Sequence, residues 1–269
     1  MAIFLFFNKF SAWGKSVKQF SESKVTPVPS PTLAPTPKPL TFAEMNALYG
    51  PCVHLPVLMY HHIQSHDAAV ADKQTSLTVY TDVFQSQMQY LKSKGYNIAT
   101  MNDLVNFFDA GTGVPGNSVL LTFDDGYQDF YTDAYPILQS LGFRSTMFTI
   151  TGLVNNPDYL TWDQVGSMNG SVLFTNHTWS HKSLPLASVS DQQNEISLAD
   201  TQLSERGLNS PKTFAYPNGG YTGLAASYLQ SLGYKIAFGT IPGSVLCKKQ
   251  RFDLPRLRIG NAPLSDYGF

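Results

Sequence analysis

The chain has 269 residues, 43% of them hydrophobic and 14% charged, with a formal net charge of −1. That is enough for one large catalytic domain plus an appendage, with a sizeable core and a lightly charged surface. This balance argues against a polyanion-binding surface, and no basic run interleaved with aromatics points to nucleic acid.

In chain order, the first feature is the apolar run Ala2-Ile3-Phe4-Leu5-Phe6-Phe7. It is too short to span a bilayer and has no basic region before it. It reads either as the remnant of a signal or anchor or as an apolar tail. Residues 26–39 follow with Pro27, Pro29, Pro31, Pro35, Pro37 and Pro39 among small residues. They cannot build a core and form an extended, semi-rigid spacer, which suits a protein tethered to a membrane or wall. Residues 1–40 are therefore expected to be an apolar stub and linker without order, and 41–269 the catalytic domain.

From Thr41 onward strands alternate with helices. Pro56 to Tyr60 is a short apolar strand. Val83, Phe84, Met88 and Leu91 share one helical face, and Gly95 stops that helix. Thr100 caps a second helix with Leu104, Phe107 and Phe108 turned inward. Ser118 to Phe123 is a continuous apolar run, as a strand buried on both faces requires. Ala134, Ile137, Leu138 and Leu141 give a helix ended by Gly142, and Ser145 to Ile150 the next strand. Thr161 and Gln164 have capping-box spacing. Val172 to Phe174 is a strand, and residues 191–206 are a polar, amphipathic helix. Residues 213–216, 224–232 and 235–238 then repeat strand, helix, strand. Such units imply a parallel sheet with outer helices, as a barrel or an open doubly wound sheet, with functional residues at strand C-terminal ends.

Five elements carry chemistry. Asp124-Asp125-Gly126 lies where the buried strand runs out, and two acids beside an apolar strand need a cation or proton to relieve them. His177 and His181, four apart after another apolar strand, face one metal if the segment makes a helical turn. Two imidazoles and a carboxylate are a typical catalytic metal set. His61 ends the strand 56–60 and suits proton donation to a leaving group. The loop Tyr216-Pro217-Asn218-Gly219-Gly220 can present main-chain N–H groups to an oxyanion. An arginine of the segment 253–258 can hold an acid ionised; Arg256 is preferred to Arg258, although the two share a face in a strand. Cys52 and Cys247 read either as a disulfide or as two separate buried thiols.

Thr-Phe-Asp-Asp-Gly-Tyr at 122–127 and His-Thr-Trp-Ser-His at 177–181, in this order, resemble the first two motifs of the polysaccharide deacetylases of carbohydrate esterase family 4. The resemblance covers roughly residues 53–260. The segment 56–62 resembles the opening strand of the branch that includes the poly-β-1,6-N-acetylglucosamine deacetylases. The resemblance implies a distorted (β/α)7-type barrel with parallel strands and outer helices. It implies Asp124 as base, Asp125, His177 and His181 as ligands of a divalent metal (Zn²⁺, with Co²⁺, Ni²⁺ or Fe²⁺ as other candidates), and His61 as proton donor. Arg256 would orient Asp124, and Asn218, Tyr216 and Tyr127 would meet the oxyanion and substrate. The implied reaction is N-deacetylation of an N-acetylglucosamine polysaccharide by a secreted or cell-surface, monomeric enzyme. The chain departs from the family at Ala215, where many members carry arginine, at Asn218, where tyrosine is common, and in lacking a late Leu-x-x-His motif. Those departures keep a glycan-binding pseudoenzyme as an alternative, and an amidase or O-acetyl esterase could use the same metal chemistry.

Overall fold

The computed structural model describes residues 39–269. The apolar start and nearly all of the proline-rich spacer lie outside the described residues. Helix α1 (Phe42–Tyr49) precedes β1 (Cys52–His54), β2 (Val57–Tyr60) and β3 (His62–Gln64). Then come α2 (His66–Ala71), β4 (Thr78–Tyr80), α3 (Thr81–Ser93), β5 (Asn97–Ile98) and α4 (Met101–Ala110). The central stretch is β6 (Ser118–Asp125), α5 (Tyr135–Leu141), β7 (Ser145–Thr149), α6 (Trp162–Met168) and β8 (Val172–Asn176). The rest is α7 (Val189–Ser204), β9 (Thr213–Ala215), α8 (Gly223–Ser231), β10 (Ile236–Phe238), β11 (Val245–Cys247) and β12 (Leu257–Arg258). Among the described residues no helix is long and apolar enough to cross a membrane.

Local sequence accounts for most boundaries. In α3 the buried residues are Phe84, Gln87, Met88 and Leu91, one face at helical spacing. The Thr100 and Thr161 hydroxyls each accept the N–H three residues on, and Asp103 and Gln164 reciprocate, so α4 and α6 both begin with a complete capping box. Gly142 ends α5 at φ 70°, a conformation in which an L side chain is strained. All eight residues of β6 are buried, because β2 and β7 flank it and side chains cover both faces.

The main sheet runs β10-β9-β8-β7-β6-β2-β12, every pair parallel, with β5 joining the start of β6. It curls into a partial barrel surrounded by helices. At the margins, Leu254 bridges Phe238 of β10, and Leu257 and Arg258 pair with Leu58 and Met59 of β2. The segment 254–258 thus spans the gap between the first and last strands. That closure carries Arg256 into the interior, where it is fully buried.

Cys52 and Cys247 are partners in the antiparallel β1–β11 ladder and form a disulfide, with Cα atoms 4.1 Å apart. The bond ties the entry of the domain to the strand before the Arg256 segment, closing a loop of 195 residues. Loop closure of this length restricts the unfolded chain, so reduction should cost about 2–4 kcal/mol of stability. Urea denaturation with and without a thiol reductant checks this. An unchanged midpoint with both thiols free would show that the bond contributes nothing.

Candidate metal and catalytic centre

The C-terminal ends of β2, β6 and β8 converge. Tyr60 pairs with Phe123, so His61 emerges at the level of Asp124. Asp125 pairs with Thr149, and Thr149 with Asn176, so His177 emerges beside Asp125. The sheet extends two residues past the apolar run, carrying both acids within β6 rather than in a solvated turn. There the Gly126 N–H donates to the Asp124 carbonyl at 3.0 Å, and Asp125 sits at φ 75°. This tight three-residue turn is a strained backbone for a non-glycine residue, and it turns the two carboxylates in different directions.

Asp124 is 2% exposed and meets Arg256 in a fork of two hydrogen bonds, Nη1 to Oδ1 and Nη2 to Oδ2, each 2.7 Å. The Arg256 Nε donates to the Gly239 carbonyl, and the guanidinium lies 5.4 Å from the centre of the Phe148 ring. Burial by itself would raise the Asp124 carboxyl, but the guanidinium outweighs it and holds the group below the usual carboxylate range. Arg258 is exposed and donates to the Ser76 carbonyl. The two arginines do not share a face as a strand through 256–258 would require, because β12 begins only at Leu257.

Asp125, His177 and His181 each offer a ligand atom, all within 4.8 Å of one another. Asp125 Oδ1 lies 3.3 Å from His177 Nε2 and 3.4 Å from His181 Nε2. The His177 Nδ1 lies 2.8 Å from the Ala215 carbonyl, which can only accept, so Nδ1 carries a proton and Nε2 is the ring atom that faces Asp125, available as a metal ligand when the ring is neutral. Burial would raise the Asp125 carboxyl, yet the surrounding imidazoles hold it far below the usual range. Asp125 Oδ1 is buried without a hydrogen-bond partner among the described residues. Three potential ligand atoms turned on one point fit a shared cation, which can engage all of them at once when the imidazoles are neutral. The residues present therefore fit a divalent metal.

The segment from His177 to His181 is not the helical turn its spacing predicts. It is a loop with Thr178 at φ 70° and His181 at φ 61°. Left-handed backbone at those two residues brings both imidazoles to the same side.

His61 is half-buried. Burial lowers its pKa, the Asp124 and Asp125 charges oppose that, and the Arg256 and Arg258 charges reinforce it. Tyr127 stacks on the neighbouring His62 with ring centres 3.6 Å apart, and burial and the Asp125 charge hold its phenol well above 10. Asn218 is exposed at φ 55°, and its main-chain N–H has no acceptor among the described residues. Tyr216 stands apart: it is fully buried, its hydroxyl donates to the Phe252 carbonyl, and its N–H donates to the Phe238 carbonyl. Ala215, noted in the sequence for lacking an arginine, instead supplies the carbonyl that sets the His177 tautomer. A main-chain contact of that kind leaves no signal in residue type. His62, the first residue of β3, pairs with Asp129 at 2.5 Å, a partner 67 residues away that no local pattern marks.

A family model described as polysaccharide deacetylase matches residues 111–237. The Bacillus subtilis (strain 168) protein named "Putative polysaccharide deacetylase YxkH" is 30% identical over 208 residues, covering 76% of this chain and 71% of that protein. The Escherichia coli (strain K12) poly-β-1,6-N-acetyl-D-glucosamine N-deacetylase is 25% identical over 77% of this chain. This chain spans 36% of that enzyme's length. Among solved structures, the Streptococcus pyogenes deacetylase PplD in complex with acetate superimposes with a TM-score of 0.72 at 30% identity, covering 78% of this chain and 93% of that one.

Proposed function

The chain belongs to the polysaccharide deacetylase family of hydrolases, and from that premise we propose that it removes N-acetyl groups from an N-acetylglucosamine polysaccharide in a metal-dependent reaction. The observation that carries the proposal is the convergence of Asp125, His177 and His181 beside a second carboxylate kept ionised by Arg256. The name of the Escherichia coli relative points to the glycan.

Asp125, His177 and His181 would hold a divalent cation, Zn²⁺ being our choice for two imidazoles and one carboxylate. When bound, it would polarise the acetamide carbonyl and acidify water. Asp124 does not ligate in this arrangement. Its carboxylate, oriented by the Arg256 fork, takes the proton from the water that attacks the carbonyl carbon. The free Asn218 N–H donates to the developing oxyanion. His61, at the level of Asp124, gives a proton to the departing sugar amine, and its lowered pKa makes its protonated form a stronger acid. Tyr127 forms a wall of the site. Acetate and a free amine are the products.

The catalytic domain corresponds to residues 41–269. The disulfide supports an oxidising, extracytoplasmic setting, in keeping with a glycan of the cell surface.

Acetate release should be measured on poly-N-acetylglucosamine, peptidoglycan, chitin and acetyl xylan, with and without a chelator. Release from an N-acetylglucosamine polymer, abolished by chelation and restored by zinc, is expected. Full activity in the metal-free protein would remove the metal from the reaction. Release from acetyl xylan alone would make the protein an O-esterase, and glycan binding without any release would favour the pseudoenzyme.

A further inference from the structure

The strained loop between the two histidines has its main-chain donors fully accounted for. The Thr178 N–H donates to Asn176 Oδ1 at 2.7 Å, and the His181 N–H to Thr178 Oγ1 at 3.0 Å. Both other donors go to one residue of α7. The Trp179 N–H donates to the Glu195 carbonyl at 3.0 Å, and the Ser180 N–H to Glu195 Oε2 at 2.7 Å. The Ser180 hydroxyl donates to Glu195 Oε1 at 2.5 Å. Glu195 thus makes three hydrogen bonds to the two residues that separate Thr178 from His181, with both carboxyl oxygens engaged.

Glu195 is 5% exposed. A buried carboxyl group is costly unless its oxygens are bonded, and nothing in the helical pattern of α7 asks for one at a core-facing position. Left-handed backbone at Thr178 and His181 persists only where the surroundings over-determine it. His181 has most need of such support, since its side chain is 30% exposed and, unlike His177, does not sit in the buried core.

We propose that Glu195 is a positioning residue that presets the loop from His177 to His181 for metal capture, acting through Trp179 and Ser180. The inference rests on the metal-site reading above. Glu195 touches neither substrate nor metal, so its removal should weaken metal binding rather than abolish chemistry. Loss of a residue that orients ligands from behind typically costs about 10–100-fold in metal affinity.

The test uses the full chain stripped of metal, with zinc affinity measured by competition against a chromophoric chelator. Glu195→Ala should bind zinc about 10–100-fold more weakly than wild type. Glu195→Gln, which keeps one carbonyl oxygen for the Ser180 N–H, should lie between them. Leu198→Ala, at an exposed position on the same helix, should match wild type. Activity of the Glu195 variants should recover as zinc is raised to saturation, which a general loss of structure would not allow. Zinc affinity of Glu195→Ala within twofold of wild type would overturn the proposal. Should that variant fail to fold, Ser180→Ala decides: it removes a single surface hydroxyl, and weaker zinc binding is expected, whereas unchanged binding overturns the proposal. If the wild-type protein takes up no zinc, or Asp125→Ala leaves uptake unchanged, the metal-site reading fails whatever Glu195 does.

Discussion

Asp124→Asn should lower kcat/KM for acetate release by about 10²–10⁴-fold, the range of a general base, while leaving zinc binding nearly intact. The two effects separate because the proposed ligand atoms belong to Asp125, His177 and His181, whereas Asp124 is turned to Arg256. An amide has almost the same shape but cannot take a proton from water. It also presents an NH2 group to one of the two guanidinium nitrogens that now donate to the carboxylate. That donor-to-donor contact is buried, so the variant should also lose about 1–3 kcal/mol of stability. The comparison needs kcat/KM, zinc stoichiometry and a urea midpoint on one preparation. Wild-type turnover by Asp124→Asn would remove Asp124 from the chemistry. Loss of zinc together with activity would move it into the metal site.

Arg256→Ala should produce the largest stability change, about 3–5 kcal/mol, because it leaves a buried carboxylate without its partner. The pH dependence has a definite sign. The folded-state pKa of Asp124 is lowered. Its pairing therefore contributes stability that is fully present above about pH 4, the ordinary value for an unfolded Asp, and is lost as the pH falls through the folded value. Removing the guanidinium leaves burial unopposed, so the Asp124 carboxyl titrates higher. The acid limb of the kcat/KM profile should move upward in Arg256→Ala, and less in Arg256→Lys, which keeps the charge but not the fork. The stability gap between wild type and Arg256→Ala should narrow toward low pH. A purely structural arginine would lower stability and leave the acid limb where it is.

Several parts of the site are legible in the order of residues alone. Asp124 and Asp125 follow an unbroken apolar strand, and two histidines four apart follow another, so pattern and motif are enough to place chemistry at strand ends. Their neighbours are not legible in this way. A spacing of four suggests a helical turn, but the loop from His177 to His181 is bonded locally through Asn176 and Thr178 and also to Glu195, a contact that depends on how α7 lies against β8. Tyr216 sits next to the glycine-rich loop in sequence, and only packing shows that its ring is turned into the core. The choice between a bridge and two thiols at Cys52 and Cys247 needs the β1–β11 register.

The family match at residues 111–237 contains Asp124, Asp125, His177, His181 and Asn218 but neither His61 nor Arg256. By itself the sequence determined the α/β class, most boundaries of the main helices and strands, the caps of α4 and α6, and the two motifs that carry the proposed ligands and base. These depend on periodicity and on contacts within a few residues. Periodicity could not separate Arg256 from Arg258, and the tertiary structure decided that Arg256, the arginine favoured by the family resemblance, meets Asp124, what the histidine loop bonds to, and how the first and last strands close on the site. The arginine contact joins residues 132 apart in the chain, and which of several chemically equal side chains is buried there depends on where the sheet closes.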